Sequence, residues 1–245
     1  MSMVSRAWAR LRPSEIVPSP NIWHFPQVYE AENRAQDADG TLWRFLSDLC
    51  DWSGDVLDVG CGDGFHLPRL AETARSVLGV EPHPPLVERA RVRIAGLPQV
   101  KVVAGSAQGL PVGDASVDVV HARTAYFFGP GCDPGLREAD RVLRPGGSLV
   151  IIDLDGLSSP YGPWLRADLP TYDPVEVDKF FDLQGFDLHR VTTVWRFPDR
   201  RTLAAVLRIE FSARVAQRAI DEVTDLEFPV GYRVLVRRKP TGLLT

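Results

Sequence analysis

The stretch VLDVGCGDGF, Val56 to Phe65, decides how this chain is read. An apolar run of strand character, Val56 to Val59, feeds straight into Gly60, Gly62 and Gly64 at every second position. Glycine takes positive φ at no steric cost and lets another group approach the backbone, so three within five residues argue for a contact rather than a simple turn. In an open parallel sheet, a loop leaving the carboxyl end of the first strand lies where ligands bind. A dinucleotide loop spaces its glycines G-x-G-x-x-G. Here Gly64 comes one residue early and Phe65 stands in the required place, which argues against a nicotinamide cofactor. Glu81 ends the next apolar run, 21 residues after Gly60, where a carboxylate can accept two hydrogen bonds from a ribose diol.

Working outward, short β-branched runs alternate with helical patterns after Gly54, the signature of βαβ units and a mainly parallel sheet. Strands are expected at Val56–Val59, Ser76–Glu81, Val100–Ala104, Val117–His121 and Ser148–Asp153. Between them, Leu86, Ala90 and Ile94 fall four apart on one helical face. Asp133-Pro134 reads as an N-cap followed by Pro at the first helical position, and RPGG, Arg144 to Gly147, as the stop and reversal into the next strand. Beyond Asp153 come a Ser/Gly/Pro-rich loop, a capped helix in DPVEVDKFFDLQGF that ends at Gly185, and a strand over Asp187–Arg196. A helical stretch from about Asp199 to Ile220 and a final strand, Gly231–Lys239, close the chain. Ahead of the first strand, Gln27 to Cys50 reads as one helix preceded by an exposed, poorly ordered stretch. The expected organisation is an N-terminal helical or lid segment, 1–53, and a main domain, 54–245, within a single structural domain.

A chain of 245 residues, 44% hydrophobic, can bury a full core. The net charge of −4 provides no broad basic field and argues against nucleic acid as a partner. The arginines of RARVRI, Arg89 to Ile94, alternate with apolar residues like a solvated helix face and receive no function. Cys50, Cys61 and Cys132 form no CxxC pair, so neither a disulfide framework nor a metal site is expected, and a reducing cytoplasm fits. No segment reaches the ~20 apolar residues of a membrane span. The first fifteen residues lack the apolar core of a signal peptide.

VLDVGCGDG, GVEP, AGSAQGLPVGDASVDVVHA and EADRVLRPGG stand in that order between Val56 and Asp153. Together they resemble the class I S-adenosylmethionine-dependent methyltransferases, in particular the small-molecule branch called methyltransferase type 11. The resemblance implies an α/β, three-layer αβα Rossmann-like fold with a seven-stranded, mostly parallel sheet of order 3-2-1-4-5-7-6, strand 7 antiparallel. It implies S-adenosylmethionine as cofactor, held by the loop Gly60, Cys61, Gly62 and Gly64, with Asp58 orienting the loop or meeting the ammonium through water. Glu81 would hold the ribose hydroxyls, Pro82 and His83 would flank the adenine, and Ser106 and Ala107 would meet its edge. Relatives commonly carry Asp-Ala where this chain has Ser106-Ala107. The shorter, uncharged serine shifts adenine contact toward the Ala107 amide.

Methyl transfer from a sulfonium is an in-line displacement, so holding the nucleophile close and aligned is the main contribution an enzyme can make. A general base helps when the acceptor is a hydroxyl, and the candidates are His121, which also borders the cofactor site, and His24. Tyr126, Phe127 and Phe128 follow the fourth strand, and three adjacent aromatics cannot all face one core. With Tyr29 and Trp164, the residues Tyr126 and Phe127 are candidates for an aromatic acceptor pocket, which suits an apolar or aromatic small molecule. Neither an Asn-Pro-Pro-Tyr type tetrapeptide nor a matching catalytic cysteine, the marks of nucleic-acid methylation, is present. The sequence leaves open a monomer or a homodimer. A non-catalytic module that binds the cofactor for sensing or partner interaction stands as the alternative.

Overall fold

The computed structural model describes residues 19–242. The poorly ordered stretch and the signal-peptide reading both fall on the segment ahead of these, outside the described residues. In chain order the elements are α1 (Pro20–His24), α2 (Pro26–Ala35), α3 (Thr41–Leu49), β1 (Asp55–Val59), α4 (Leu67–Leu70), β2 (Ser76–Glu81), α5 (Pro84–Arg93), β3 (Val100–Ala104) and β4 (Val117–Arg123). Then follow α6 (Asp133–Val142), β5 (Leu143–Leu154), α7 (Tyr161–Asp168), α8 (Pro174–Leu183), β6 (Asp187–Arg196), α9 (Arg200–Glu210), α10 (Ala213–Glu222) and β7 (Glu227–Arg238).

The seven strands lie in the order β3-β2-β1-β4-β5-β7-β6, as the resemblance implies. β1 pairs in parallel with β2 and β4, β2 with β3, and β4 with β5. Lys239 N donates to Gly147 O and Asp155 N to Gly231 O, each at 2.8 Å, so numbers fall along β7 as they rise along β5 and the last strand in sequence is antiparallel. β1 stands beside β2 and β4, and their carboxyl ends converge where the glycine loop leaves β1.

The described chain forms two compact units. One comprises the described residues up to Leu46 together with Leu154–Glu176 and Arg190–Arg233. The other comprises Ser47–Asp153, Val177–His189 and the residues from Val234 onward. The first unit is centred on aromatic packing: Tyr161, Trp164, Trp195, Phe211 and Phe228 are all buried, with Trp164 and Phe228 ring centroids 5.7 Å apart. The second holds β1 to β4 and most of β5, with Leu57, Val80, Ala90, Val120, Ala139 and Leu149 in its core.

Where elements differ from the sequence reading, particular contacts explain the difference. The single helix expected over Gln27 to Cys50 is broken at Asp37 and Gly40, with φ of 51° and 69°. Asp37 turns its carboxylate to the amides of Leu42 and Trp43, at 2.8 and 3.0 Å, and so starts α3. The stretch from Asp199 is likewise two helices, parted by extended backbone at Phe211 and Ser212, where Ser212 N donates to Asp168 Oδ1 at 3.1 Å. Asp133 is the first residue of α6, after an N-cap at Cys132 that makes no side-chain bond, so it does not act as the cap. RPGG does not separate helix from strand. It is a bulge inside β5, where Val117 pairs with Leu143 but Val119 with Ser148. Two expectations match locally: Asp173 accepts from Val175 N at 2.9 Å at the start of α8, and Gly185 takes φ 77° after its end. Among the described residues, no helix is long and apolar enough to cross a membrane.

Candidate cofactor site

All the backbone of this site lies in the unit that holds β1 to β4. Leaving β1, the chain turns through Gly60, Gly62 and Gly64 at φ of 71°, 57° and 81°, the left-handed region that L side chains resist. The amides of Gly60 and Cys61 both donate to Val80 O, at 2.8 and 3.2 Å, which ties the loop to the end of β2. Two of the close approaches expected of these glycines are made by the protein itself. A Cβ on Gly60 would stand 2.5 Å from the Ala125 Cβ, and one on Gly64 would stand 3.1 Å from that of Ala90. Gly79 on β2 makes room in the same way, since a Cβ there would come within 2.7 Å of Cys61 Sγ. Burial, followed by the Asp58 and Glu81 carboxylates, pushes the Cys61 thiol well above its ordinary range, so it stays protonated and unreactive.

Glu81 is buried at the end of β2 and faces the loop. Its Oε2 accepts from Gly62 N at 3.0 Å and its Oε1 from His83 N at 2.9 Å. Each oxygen keeps a further lone pair, which fits a ribose diol. Burial raises the Glu81 pKa, the two amides oppose that, and Asp58 adds to it. Pro82 and His83, both half-buried, lead from Glu81 into α5. On the far side of β2, Gly105 N donates to Glu81 O at 3.2 Å, and Ser106 is half-buried beside the buried Ala107. Gly109 N closes this turn onto Ser106 O at 3.1 Å. Glu138 on α6 anchors the turn by accepting from Leu110 N at 2.9 Å, and Arg141 reaches Leu110 O at 3.0 Å.

Asp58 and His121 are register partners on β1 and β4, and their side chains meet: His121 Nδ1 lies 2.7 Å from Asp58 Oδ1. The carboxylate expected to meet an ammonium is therefore engaged by an imidazole. His121 is fully enclosed, its ring edge-on to Trp52 at 5.9 Å, and its Nε2 has no hydrogen-bond partner. With no accessible surface, His121 does not face an acceptor in this conformation. Arg123, two residues further along β4, shares the sheet face of His121. His66, just after the loop, is half-buried. Burial first, then the charges of Arg123, His121 and Arg93, hold it well below the ordinary imidazole range, so it is neutral.

After β4 the backbone is strained. Thr124 and Tyr126 take φ of 46° and 56° on either side of Ala125, the residue that abuts Gly60. Gly135 on α6 accommodates the Tyr126 ring, since a Cβ there would fall 2.3 Å from Tyr126 Cε1. Of the aromatic triplet, Tyr126 and Phe128 are half-buried while Phe127 is a core residue. The Phe127 ring packs T-shaped against Tyr126. Trp164 is likewise packed. It belongs to the other unit, where it is fully enclosed among aromatic rings, and its indole Nε1 donates to Glu222 Oε2 at 2.6 Å. His24 and Tyr29 also belong to that unit, His24 exposed at the end of α1 and Tyr29 half-buried on α2. The structure brings together Asp58, Gly60, Cys61, Gly62, Gly64, Glu81 and His121. It adds His66, Asp63, Arg93 and Arg123, none of which the sequence reading used. For Asp63 and Arg93 the sequence signals were an acid inside the glycine loop and an arginine three residues after Ala90.

Residues 57–151 match a protein family described as a methyltransferase domain. A probable S-adenosylmethionine-dependent methyltransferase of Mycolicibacterium smegmatis is 27% identical over 186 residues, covering 69% of this chain and 67% of the relative. A sterol 4-C-methyltransferase of Caenorhabditis elegans is 29% identical over 138 residues, covering 54% of this chain and 41% of the relative. The chain spans well under half the length of the first curated relatives it matches: 32%, 41% and 38%. Among solved structures, a putative methyltransferase from Bacillus halodurans superposes with a TM-score of 0.60 at 20% identity, covering 82% of this chain and 99% of that one. At that identity the likeness speaks for the fold.

Proposed function

We propose, from the match of residues 57–151 to the methyltransferase domain family, that this chain transfers a methyl group from S-adenosylmethionine to a small apolar or aromatic acceptor. S-adenosylmethionine is the cofactor, and when bound it supplies an electrophilic methyl group on a sulfonium. One observation carries the site: the buried Glu81 carboxylate, held by the amides of Gly62 and His83, faces a loop of left-handed glycines and keeps lone pairs for a diol. The loop carries no phosphate-binding lysine and no third glycine at dinucleotide spacing, which suits a ligand without pyrophosphate.

The chain's own residues bind and orient. Glu81 would fix the ribose, Pro82 and His83 would flank the base, and Ser106 and the Ala107 amide would meet its edge. Asp58 holds His121 beneath the loop, so this pair is read as support for the β1 and β4 ends and not as a proton relay to the acceptor. Rate enhancement then rests on proximity and alignment. An apolar acceptor is supported by the half-buried Tyr126 and Phe128 after β4 and by the sterol-acting relative. The test is transfer of isotope-labelled methyl from the donor into extractable small molecules across a pool of apolar and aromatic acceptors. Label incorporation that is lost in Gly62→Val supports the reading. Cofactor binding without transfer to any acceptor class favours the sensing alternative.

A further inference from the structure

The glycine loop is gripped from outside by α5, the helix carrying the arginine-rich RARVRI stretch. Ala90 is fully buried with its Cβ against the place where a Gly64 Cβ would stand, 3.1 Å away. One turn on, Arg93 reaches into the loop at two points on one residue: its Nε donates to Asp63 O at 3.1 Å and its NH2 group to Asp63 Oδ2 at 2.9 Å. The same guanidinium lies over the Phe65 ring, 5.4 Å from its centroid. The pair is sheltered, with side-chain exposures of 27% for Arg93 and 10% for Asp63, so water screens it less than a surface pair. On the opposite side, Glu81 holds Gly62 N, the neighbouring residue of the loop. The loop is thus fixed between a carboxylate from β2 and a guanidinium from α5.

We infer that Arg93 is a positioning residue for the cofactor loop. It fixes the Asp63 backbone between Gly62 and Gly64 and cancels the Asp63 charge inside the binding loop. An unpaired carboxylate there would repel the carboxylate end of an amino-acid-bearing ligand and would draw the loop toward water. The inference rests on the cofactor reading above, and it predicts a dependence that loss of packing would not produce: removal of the Asp63 charge repairs part of the removal of Arg93.

The experiment is calorimetric titration of S-adenosylmethionine and S-adenosylhomocysteine into the wild-type chain and the variants Arg93→Gln, Arg93→Lys, Asp63→Asn and the double Arg93→Gln/Asp63→Asn, each checked for folding by circular dichroism. Arg93→Gln is expected to weaken both ligands about tenfold, the size of a lost charge-assisted pair. Asp63→Asn, which leaves the backbone acceptor for Arg93 in place, weakens binding less than Arg93→Gln does, and the double variant recovers part of the Arg93→Gln loss, as coupled neighbours do. Arg93→Lys, which keeps the charge but not the two-point grip, falls between. Wild-type binding with Arg93→Gln unchanged, or with the double variant as weak as the single, overturns the clamp alone. If Arg93→Gln does not fold, Arg93→Lys binding as tightly as wild type overturns it. No binding by the wild-type chain overturns the cofactor reading and the clamp with it.

Discussion

Replacing Glu81 by Gln separates binding from folding. Gln keeps the shape but offers one oxygen where the carboxylate offered two, so one of the amides of Gly62 and His83, now at 3.0 and 2.9 Å from acceptors, would face an NH2 group. A buried donor left unpaired costs about 1–3 kcal/mol, which corresponds to about 5- to 150-fold in Kd when the loop must be restored to bind. The pH dependence gives two opposite signs. Burial raises the Glu81 pKa in the folded chain above its ordinary value. Its contribution to folding stability is therefore present below the ordinary carboxylate range and is lost as pH rises through the raised value. Ribose binding needs the ionised acceptor, so cofactor affinity falls as pH falls through that same value. Calorimetry and thermal unfolding of both forms across about pH 4 to 8 read both slopes, and the share of each that Glu81 supplies should be absent in the Gln variant. A Gln variant that binds S-adenosylmethionine within twofold of wild type, with an unchanged pH profile, would refute the reasoning.

Gly60→Ala places a Cβ 2.5 Å from that of Ala125 at a φ of 71°, so it should lower stability by more than ~1 kcal/mol in urea unfolding. Gly62→Val, at φ 57°, should abolish cofactor binding in the same titration that reads wild type. Asp58→Ala leaves His121 with neither ring nitrogen paired and should cost about 1–3 kcal/mol. Its effect should not add to that of His121→Ala in a double-mutant cycle. In the other unit, burial raises the Glu210 carboxyl although Asn21 Nδ2 donates to it at 2.6 Å and Tyr161 Oη also donates. The stability this group supplies is lost as pH rises through its raised value, so thermal midpoints should shift in favour of Glu210→Gln as pH rises.

The parallel half of the fold was legible because each strand is a short β-branched run ended by a glycine, proline or charged residue. β2 and β3 have the bounds read from sequence. The breaks at Asp37 and Ser212 were not legible, because each depends on a side chain or amide finding a partner distant in the chain: Thr193 Oγ1 on Asp37 and Asp168 on Ser212. The RPGG bulge escaped notice for a similar reason. Pro and Gly signal a reversal locally, while the pairing of Val117 with Leu143 that keeps the segment in the sheet is nonlocal. In the site, the glycines and Glu81 announce themselves through spacing. That Ala125 and Ala90 fill the places beside Gly60 and Gly64, and that His121 engages Asp58, follows from strand register and helix docking. Arg93 looked like one more solvated arginine because what distinguishes it is the acid across the loop.

The most direct test is calorimetric titration of the purified chain with S-adenosylmethionine and, separately, with S-adenosylhomocysteine, repeated with Gly62→Val. Saturable binding of both ligands to the wild-type chain, absent in the variant, is the expected result. Absence of binding to the wild-type chain, or equal binding by the variant, would contradict a cofactor site built on the loop from Gly60 to Gly64.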